Sequence, residues 1–207
     1  MKAEDIEALF TRADGSFAFA RWGRAIAPVV FGVDDATLGV IKGALEAVVT
    51  LAGHEMGDMD AELGSNLMIF FFSEWSELPE VKGMDRLVPD LGPLVARLQA
   101  ADANQYRIFR FDEAGAIKAC FVFLRMDEHL RAVPAHALAL SQIVQSMVLW
   151  SDTAFQGRSA LAVSGDTTVL RPDIAGLLCA AYDPVLPVVA HDPSYALRLA
   201  ARLGKMQ

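Results

Sequence analysis

Five polar residues near the middle of the chain have types and spacing that could form a site. Ser141 and Gln145 lie four residues apart, so a helix would place both side chains on one face, one turn from each other. Gln142 follows Ser141, and Ser151 and Asp152 come just after the apolar stretch ends. A catalytic zinc site uses the same frame, with two His at this spacing, a Glu beside the first and a third ligand beyond the helix.

These residue types cannot run zinc chemistry in that frame. Zn²⁺ binds imidazole, thiolate and carboxylate groups, and hydroxyl and amide oxygens are poor substitutes. Gln142 cannot take a proton from water as a Glu does. The sequence therefore excludes zinc hydrolysis by this helix and predicts no metal and no cofactor.

Two interpretations of the polar residues remain open. In the first, Ser141, Gln142, Gln145, Ser151 and Asp152 line a cleft that binds a peptide or a small polar ligand. In the second, the same residues form the polar side of an amphipathic helix. The buried side of that helix would then consist of Leu138, Ile143, Met147 and Val148.

Length and composition predict one globular domain. The 207 residues, 54% of them hydrophobic, form a single domain over 1–207, with an N-terminal extension at 1–20 and a helical tail at 188–207. No apolar run reaches the roughly 20 residues that a membrane-spanning helix needs. The apolar content therefore belongs to a core or to an interface with a partner.

Charge and the first residues bear on partners and compartment. A net charge of −8, with 18 scattered basic residues, argues against nucleic acid and against anionic membrane surfaces. The chain starts with an acidic amphipathic segment rather than a signal peptide, which indicates the cytoplasm or a leader already removed. Cys120 and Cys179 are predicted to be small buried apolar residues, with a disulfide as the alternative.

Periodicity predicts alternating helices and strands. The predicted helices cover residues 4–11, 36–51, 81–101 with breaks at the prolines, 129–150, 172–182 and 194–203. In the 129–150 helix, Pro134 fits the first turn or marks a kink. The predicted strands cover 25–32, with Pro28 indicating a sheet edge or an irregularity, and 67–72, followed by a hairpin over 106–124. Residues 151–168 are predicted to be one long loop.

Three segments resemble matrixin-type metzincins. Residues 145–149 (QSMVL) are similar to the second half of the zinc helix, and 159–161 fall at the turn whose Met is here Ala162. Residues 170–182 (LRPDIAGLLCAAY) are similar to the C-terminal helix of those proteins. The resemblance implies an α+β, zincin-like fold, with a twisted mixed sheet, a backing helix, a central helix across the sheet and a C-terminal helix.

An uncharacterised, mostly exported bacterial family of unknown function resembles the chain more closely. Gln145, residues 151–153 (SDT) and residues 182–186 (YDPVL) match its Gln, its Asn-Asp-Ser and its Tyr-Asp-Pro-x-Leu ending. Ser141 and Gln142 replace that family's acidic residues, and Val148 replaces its Gly. The resemblance implies export and a catalytically inactive, metal-free domain that binds a peptide, a partner protein or an envelope ligand.

Other functions stay open as alternatives. One is a hydrolase that uses a non-zinc site with Ser151, Asp152 and Asp173 as its polar groups. Another is a structural or oligomerising domain, suggested by the high apolar content. Weaker alternatives are a metal site at His129 and His136, and a cation site in the acidic loop from His54 to Asp60.

Overall fold

The computed structural model describes residues 1–57, 64–165 and 167–204 as a mixed α+β fold, which confirms the predicted class. A 3₁₀ helix spans Trp75–Glu80. The helices are α1 (Ala3–Phe10), α2 (Asp35–Ala52), α3 (Met84–Leu87), α4 (Leu91–Ala100), α5 (Glu128–Ala132), α6 (Ala135–Met147), α7 (Pro172–Ala181) and α8 (Tyr195–Leu203). The strands are β1 (Phe19–Ala20), β2 (Pro28–Phe31), β3 (Leu67–Phe72), β4 (Gln105–Phe111), β5 (Ile117–Arg125), β6 (Leu161–Ser164), β7 (Thr167–Leu170) and β8 (Val189–Ala190).

A four-stranded mixed sheet divides the molecule into two cores. Its order is β2-β3-β5-β4, with the first three strands parallel and β4 antiparallel to β5 at one edge. Cys120 and Val122 of β5 belong to the core shared with α2, α6 and α7, while Phe121 and Phe123 belong to the core under α3 and α4. The alternation of side chains along a strand explains why β5 is buried on both faces.

Local sequence signals explain several element boundaries. The Asp34 side chain accepts a hydrogen bond from Thr37 N–H and caps α2, and Gly53 ends that helix with a positive φ of 67°. Pro28 lies in β2 at the edge of the sheet, where its missing N–H costs no ladder bond. The predictions of α2, β3, the β4–β5 hairpin and the edge position of β2 are confirmed.

The central helix is shorter than the predicted 129–150. Val133 takes an extended conformation and separates α5 from α6, because the residue before a proline avoids the helical region. Pro134 is the N-cap of α6. At the other end the helix stops at Met147, and Val148 is extended, with φ −137° and ψ 164°. Position 148 therefore requires no Gly in this chain.

Three side chains bond to the carbonyls at the end of α6. Tyr182 Oη donates to Met147 O at 2.6 Å, Trp22 Nε1 donates to Ser146 O at 2.8 Å, and Trp150 Nε1 donates to Val144 O at 3.0 Å. The last four carbonyls of a helix have no partner within it. The aromatic donors supply partners for three of them, and they tie α6 to the N-terminal segment and to the C-terminal end of α7.

Two more predictions are corrected. The predicted loop over 151–168 is irregular only as far as Ala160, since β6 and β7 form an antiparallel hairpin whose alternating side chains include the exposed Val163. In the predicted helical region over 81–101, the break at Pro89 is confirmed, since residues 88–90 separate α3 from α4, but the break at Pro93 is wrong. Pro93 lies in the first turn of α4, where its missing N–H has no helical partner to lose.

The two chain ends pack together. β1 pairs with β8, α1 contacts α8, and Ile6 and Phe10 are fully buried in the core under α2 and α6. The tail helix is α8, and residues 205–207 of the predicted tail lie outside the described residues. Among the helices described here, none has the length and apolar character needed to cross a membrane.

Removing the Tyr182 hydroxyl tests whether its hydrogen bond stabilises the C-terminal end of α6. We expect Tyr182→Phe to lower the free energy of unfolding by about 1–3 kcal/mol, because it leaves the buried Met147 carbonyl without that partner. Urea denaturation measures the change. Tyr106→Phe is the matched control, since its hydroxyl has only a 3.3 Å bond from Arg97 near the surface. We expect that control to change stability by about 0.5 kcal/mol or less, and equal losses in both variants would contradict the account.

Candidate functional site

One open cleft of about 1320 Å³ lies between β4 and α6. Gln105 and Phe109 of β4 form one wall, Ser141 and Gln145 of α6 form the other, and Arg107 of β4 lies between them. The segment after α6, from Leu149 to Ala160, closes one end, with Arg12, Ala13 and Asp14 beside it. We call this space the α6–β4 cleft.

The cleft has hydrogen-bonding groups from α6 and β4 and aromatic surface from the segment after α6. Gln105, Arg107, Ser141 and Gln145 provide the hydrogen-bonding groups. In the segment after α6, the Trp150 ring stacks on Phe10 at 5.3 Å and meets Phe155 edge-on at 5.0 Å. The polar side chains of Asp152, Gln156 and Arg158 line the cleft in that same segment.

Ser141 and Gln145 face the cleft as a bonded pair. Gln145 Nε2 donates to Ser141 Oγ at 3.0 Å, as expected for residues one turn apart on a helix. Gln142 lies below them, only 3% exposed, and does not line the cleft. Its amide donates to Gln105 Oε1 at 3.0 Å. Gln142 therefore lies neither on a solvent-exposed face of α6 nor on the cleft wall. It lies beneath the cleft and bonds to residues that line it.

Arg107 occupies the floor between these glutamines. Its Nη2 donates to Gln142 Oε1 at 2.6 Å and its Nη1 to Gln145 Oε1 at 3.3 Å. Its Nε is buried and has no hydrogen-bond partner among the described residues. Burial disfavours the charged guanidinium and lowers the pKa of Arg107 from its usual value. Arginine remains charged at neutral pH, so the floor of the cleft is a cation held by two neutral amides.

Cys120 lies in the core on the same side of the sheet and is chemically inert. Burial raises the pKa of its thiol to about 12, so the thiolate is negligible at neutral pH. Cys120 and Cys179 are both free thiols, Cys120 fully buried and Cys179 partly exposed. The prediction that both cysteines are buried is therefore correct for Cys120 and only partly correct for Cys179.

Ser151 and Asp152 reach the cleft from the segment after α6. Ser151 is 8% exposed, its N–H donates to Leu9 O at 2.9 Å, and its Oγ lies 3.1 Å from Thr153 Oγ1. Asp152 Oδ1 accepts a 3.2 Å bond from Ala13 N–H. The structure thus brings Ser141, Gln145, Ser151 and Asp152 to one cleft, and of the five predicted site residues only Gln142 lies outside its lining.

Asp173 does not join this group. Its carboxylate pairs with Arg171, and Arg158 Nη1 lies 3.3 Å from Oδ2. Burial alone would raise the pKa of Asp173, but hydrogen bonds from Arg171 and its charge outweigh burial and lower the pKa. The Asp173 carboxylate does not line the cleft, and it forms ion pairs with two guanidinium groups.

Within residues 1–57, 64–165 and 167–204, no three His, Cys, Asp or Glu side chains cluster as a metal site would require. His129 and His136 lie on different helices, α5 and α6, so they do not share a helix face. His54 donates a 2.9 Å hydrogen bond to Arg24 O, and burial lowers the pKa of its imidazole. Asp58 and Asp60 of the suggested cation loop lie outside the described residues.

Arg107 was not identified from the sequence. The alternation of residues 106–111 predicts a strand with Arg107 and Phe109 on one face. It does not predict which helix packs on that face, because the strand meets α6 only through the tertiary fold. No local sequence pattern predicts that an Arg in this strand bonds to two Gln side chains in a helix distant in sequence.

Comparisons with protein-family models, with curated proteins and with solved structures found no match.

Replacing the Gln142 amide tests whether it stabilises Arg107 at the floor of the cleft. We expect Gln142→Leu to lower the free energy of unfolding by about 2–3 kcal/mol, because Arg107 loses its shortest hydrogen bond in a buried place. Gln156→Leu is the matched control, since Gln156 is exposed and donates only a 3.2 Å bond to Asp152 O. Chemical denaturation of both variants measures the difference. A Gln142→Leu protein as stable as wild type would show that Arg107 does not depend on this amide.

Proposed function

We propose that the chain is a catalytically inactive, zincin-like domain that binds an extended peptide segment of a partner protein in the α6–β4 cleft. One observation carries the proposal. The residues at the zinc-ligand positions of the resemblance, Ser141, Gln145 and Ser151, line a single cleft beside an edge strand. They offer hydrogen bonds in place of metal ligands.

The arrangement of elements supports the zincin-like part of the proposal. The resemblance implies a mixed sheet, a backing helix, a helix across the sheet and a C-terminal helix. In support, β2–β5 form a mixed sheet, and α2 packs against both α6 and α7. The Tyr182–Met147 hydrogen bond joins two of the segments on which the resemblance depends. The matching Tyr therefore has a structural reason to occupy its position.

The chemistry of the cleft favours binding over hydrolysis. A serine nucleophile needs an adjacent base, and the hydroxyl of Ser151 contacts the hydroxyl of Thr153. Asp173, the acid of the hydrolase alternative, is paired with Arg171 and Arg158. Ser141 and Gln145 bond to each other, and neither can activate water.

The shape of the cleft favours a peptide. Its volume exceeds the roughly 300–1,000 Å³ of pockets that enclose small molecules. β4 is the edge strand and pairs only with β5 among the described strands, so its outer backbone groups can bond to an added strand. Side chains of such a strand would reach the polar groups around Arg107 and the aromatic surface at Trp150.

Peptide selection tests the proposal. A random decapeptide library is selected on the wild-type protein, and the enriched peptides are titrated by calorimetry against two variants. Ser141→Trp fills the cleft, and Ser164→Trp places the same side chain on the exposed β6 strand outside it. We expect Ser141→Trp to weaken binding by about tenfold or more, about 1.4 kcal/mol, and Ser164→Trp to leave it unchanged. No enriched peptide, or equal binding by both variants, would contradict the proposal.

Rebuilding a metal site tests the zincin-like frame. We expect the triple variant Ser141→His, Gln145→His, Ser151→His to bind one Zn²⁺, because the three positions share the cleft and His at this spacing is the usual ligand set. Its affinity should exceed that of the double variant Ser141→His, Gln145→His by at least about tenfold, about 1.4 kcal/mol. Cobalt spectroscopy and calorimetry measure both. Addition of Asp152→His instead of Ser151→His is the control, and an equal gain there would contradict the assigned frame.

A further inference from the structure

We propose that the α6–β4 cleft recognises a carboxylate of the bound peptide and that Arg107 is the cation that receives it. The inference rests on the proposed peptide-binding function and specifies its ligand chemistry. The carboxylate belongs either to a peptide C-terminus or to an Asp or Glu side chain, and the two sources share the same recognition chemistry.

The charge of Arg107 has no ionic partner in the described part of the chain. The ion pairs found there use Arg125, Arg158, Arg171 and Arg202. Arg107 has two amide oxygens as acceptors and a buried Nε without one. A guanidinium offers five N–H donors, so most of the donors of Arg107 are left over. Buried charges are usually paired, and this one opens onto a cleft.

The two glutamines hold Arg107 unequally. The bond to Gln142 Oε1, at 2.6 Å, is short enough to fix the guanidinium from below. The bond to Gln145 Oε1, at 3.3 Å, is long for a charged donor. Gln145 lies on the cleft wall, so an entering carboxylate can replace its amide oxygen as the acceptor at Nη1 while Gln142 keeps the guanidinium in place.

The other charges of the cleft favour a single negative charge. Arg12, Arg107 and Arg158 line it together with Asp14 and Asp152, so the cleft carries a surplus of positive charge in a protein of net charge −8. A carboxylate brings one negative charge, which matches this surplus, whereas a dianionic phosphate brings two. The planar guanidinium also matches the two oxygens of a carboxylate.

Four short peptides test the inference by NMR titration of the wild-type protein at fixed ionic strength. They are acetyl-tetraalanine with a free C-terminal carboxylate, its C-terminal amide, an acetylated and amidated pentapeptide with one central Glu among alanines, and the same pentapeptide with Gln. We expect at least one acid to bind roughly 10- to 100-fold more tightly than its neutral counterpart. The pair that shows the preference identifies the source of the carboxylate.

Two glutamate variants locate the effect. Gln145→Glu places a carboxylate beside Arg107 and should abolish the preference for acidic over neutral peptides. Gln156→Glu adds the same charge at the exposed rim of the same cleft and should keep a preference of at least about fivefold, or 1 kcal/mol.

Each other outcome overturns the inference. Equal binding of acids and neutral peptides by the wild type would overturn it and leave the proposed peptide-binding function standing. If Gln156→Glu lost the preference for acidic peptides as completely as Gln145→Glu, the preference would come from the overall charge of the cleft rather than from Arg107. A wild-type protein that binds none of the four peptides at millimolar concentration, and no library peptide, would overturn both proposals.

Discussion

The cleft depends on the abrupt end of α6 at Met147. The carbonyls there face a crowded interior, and the buried Trp22 and Tyr182 side chains supply hydrogen bonds that the helix cannot make for itself. Once α6 ends, Leu149 N–H bonds to Ala20 O, and the chain runs outward to form the end of the cleft. A helix that continued to Trp150 would place residues 148–150 where the extended segment now bonds to the N-terminal strand. The termination therefore positions the helix face and the segment after it relative to each other.

A second constraint is the free-energy cost of burying the charged Arg107 side chain beside α6. Burial works against its charge, and two amide groups can offset only part of that cost. A leucine at the same position would pack against the core without this penalty. The buried cation therefore costs stability, which supports the binding function proposed for the cleft. The same reasoning does not apply to Arg171, whose charge is balanced by Asp173.

Short-range chemistry made much of the fold predictable. The Asp34 cap and Gly53 defined α2, the apolar run at 67–72 defined β3, and Gly115 with its positive φ marked the hairpin of β4 and β5. Pro134 indicated a first turn or a kink in the central helix, and the structure has a full break there. The β6–β7 hairpin was missed, because a Ser- and Thr-rich segment is typical of a loop. The helix frame identified three of the cleft residues, Ser141, Gln145 and Ser151. Arg107 depends on how β4 packs against α6, which no local pattern encodes.

Hydrogen exchange with a library-selected peptide tests most directly whether the edge of β4 binds a strand beside α6. The amides of β4 that point away from β5 should exchange more slowly in the complex, because an added strand bonds to them. The amides of β2, at the opposite edge of the sheet, should exchange at the same rate with and without peptide. Protection at β2 alone, or no change at β4 when the peptide is saturating, would contradict a binding cleft between α6 and β4.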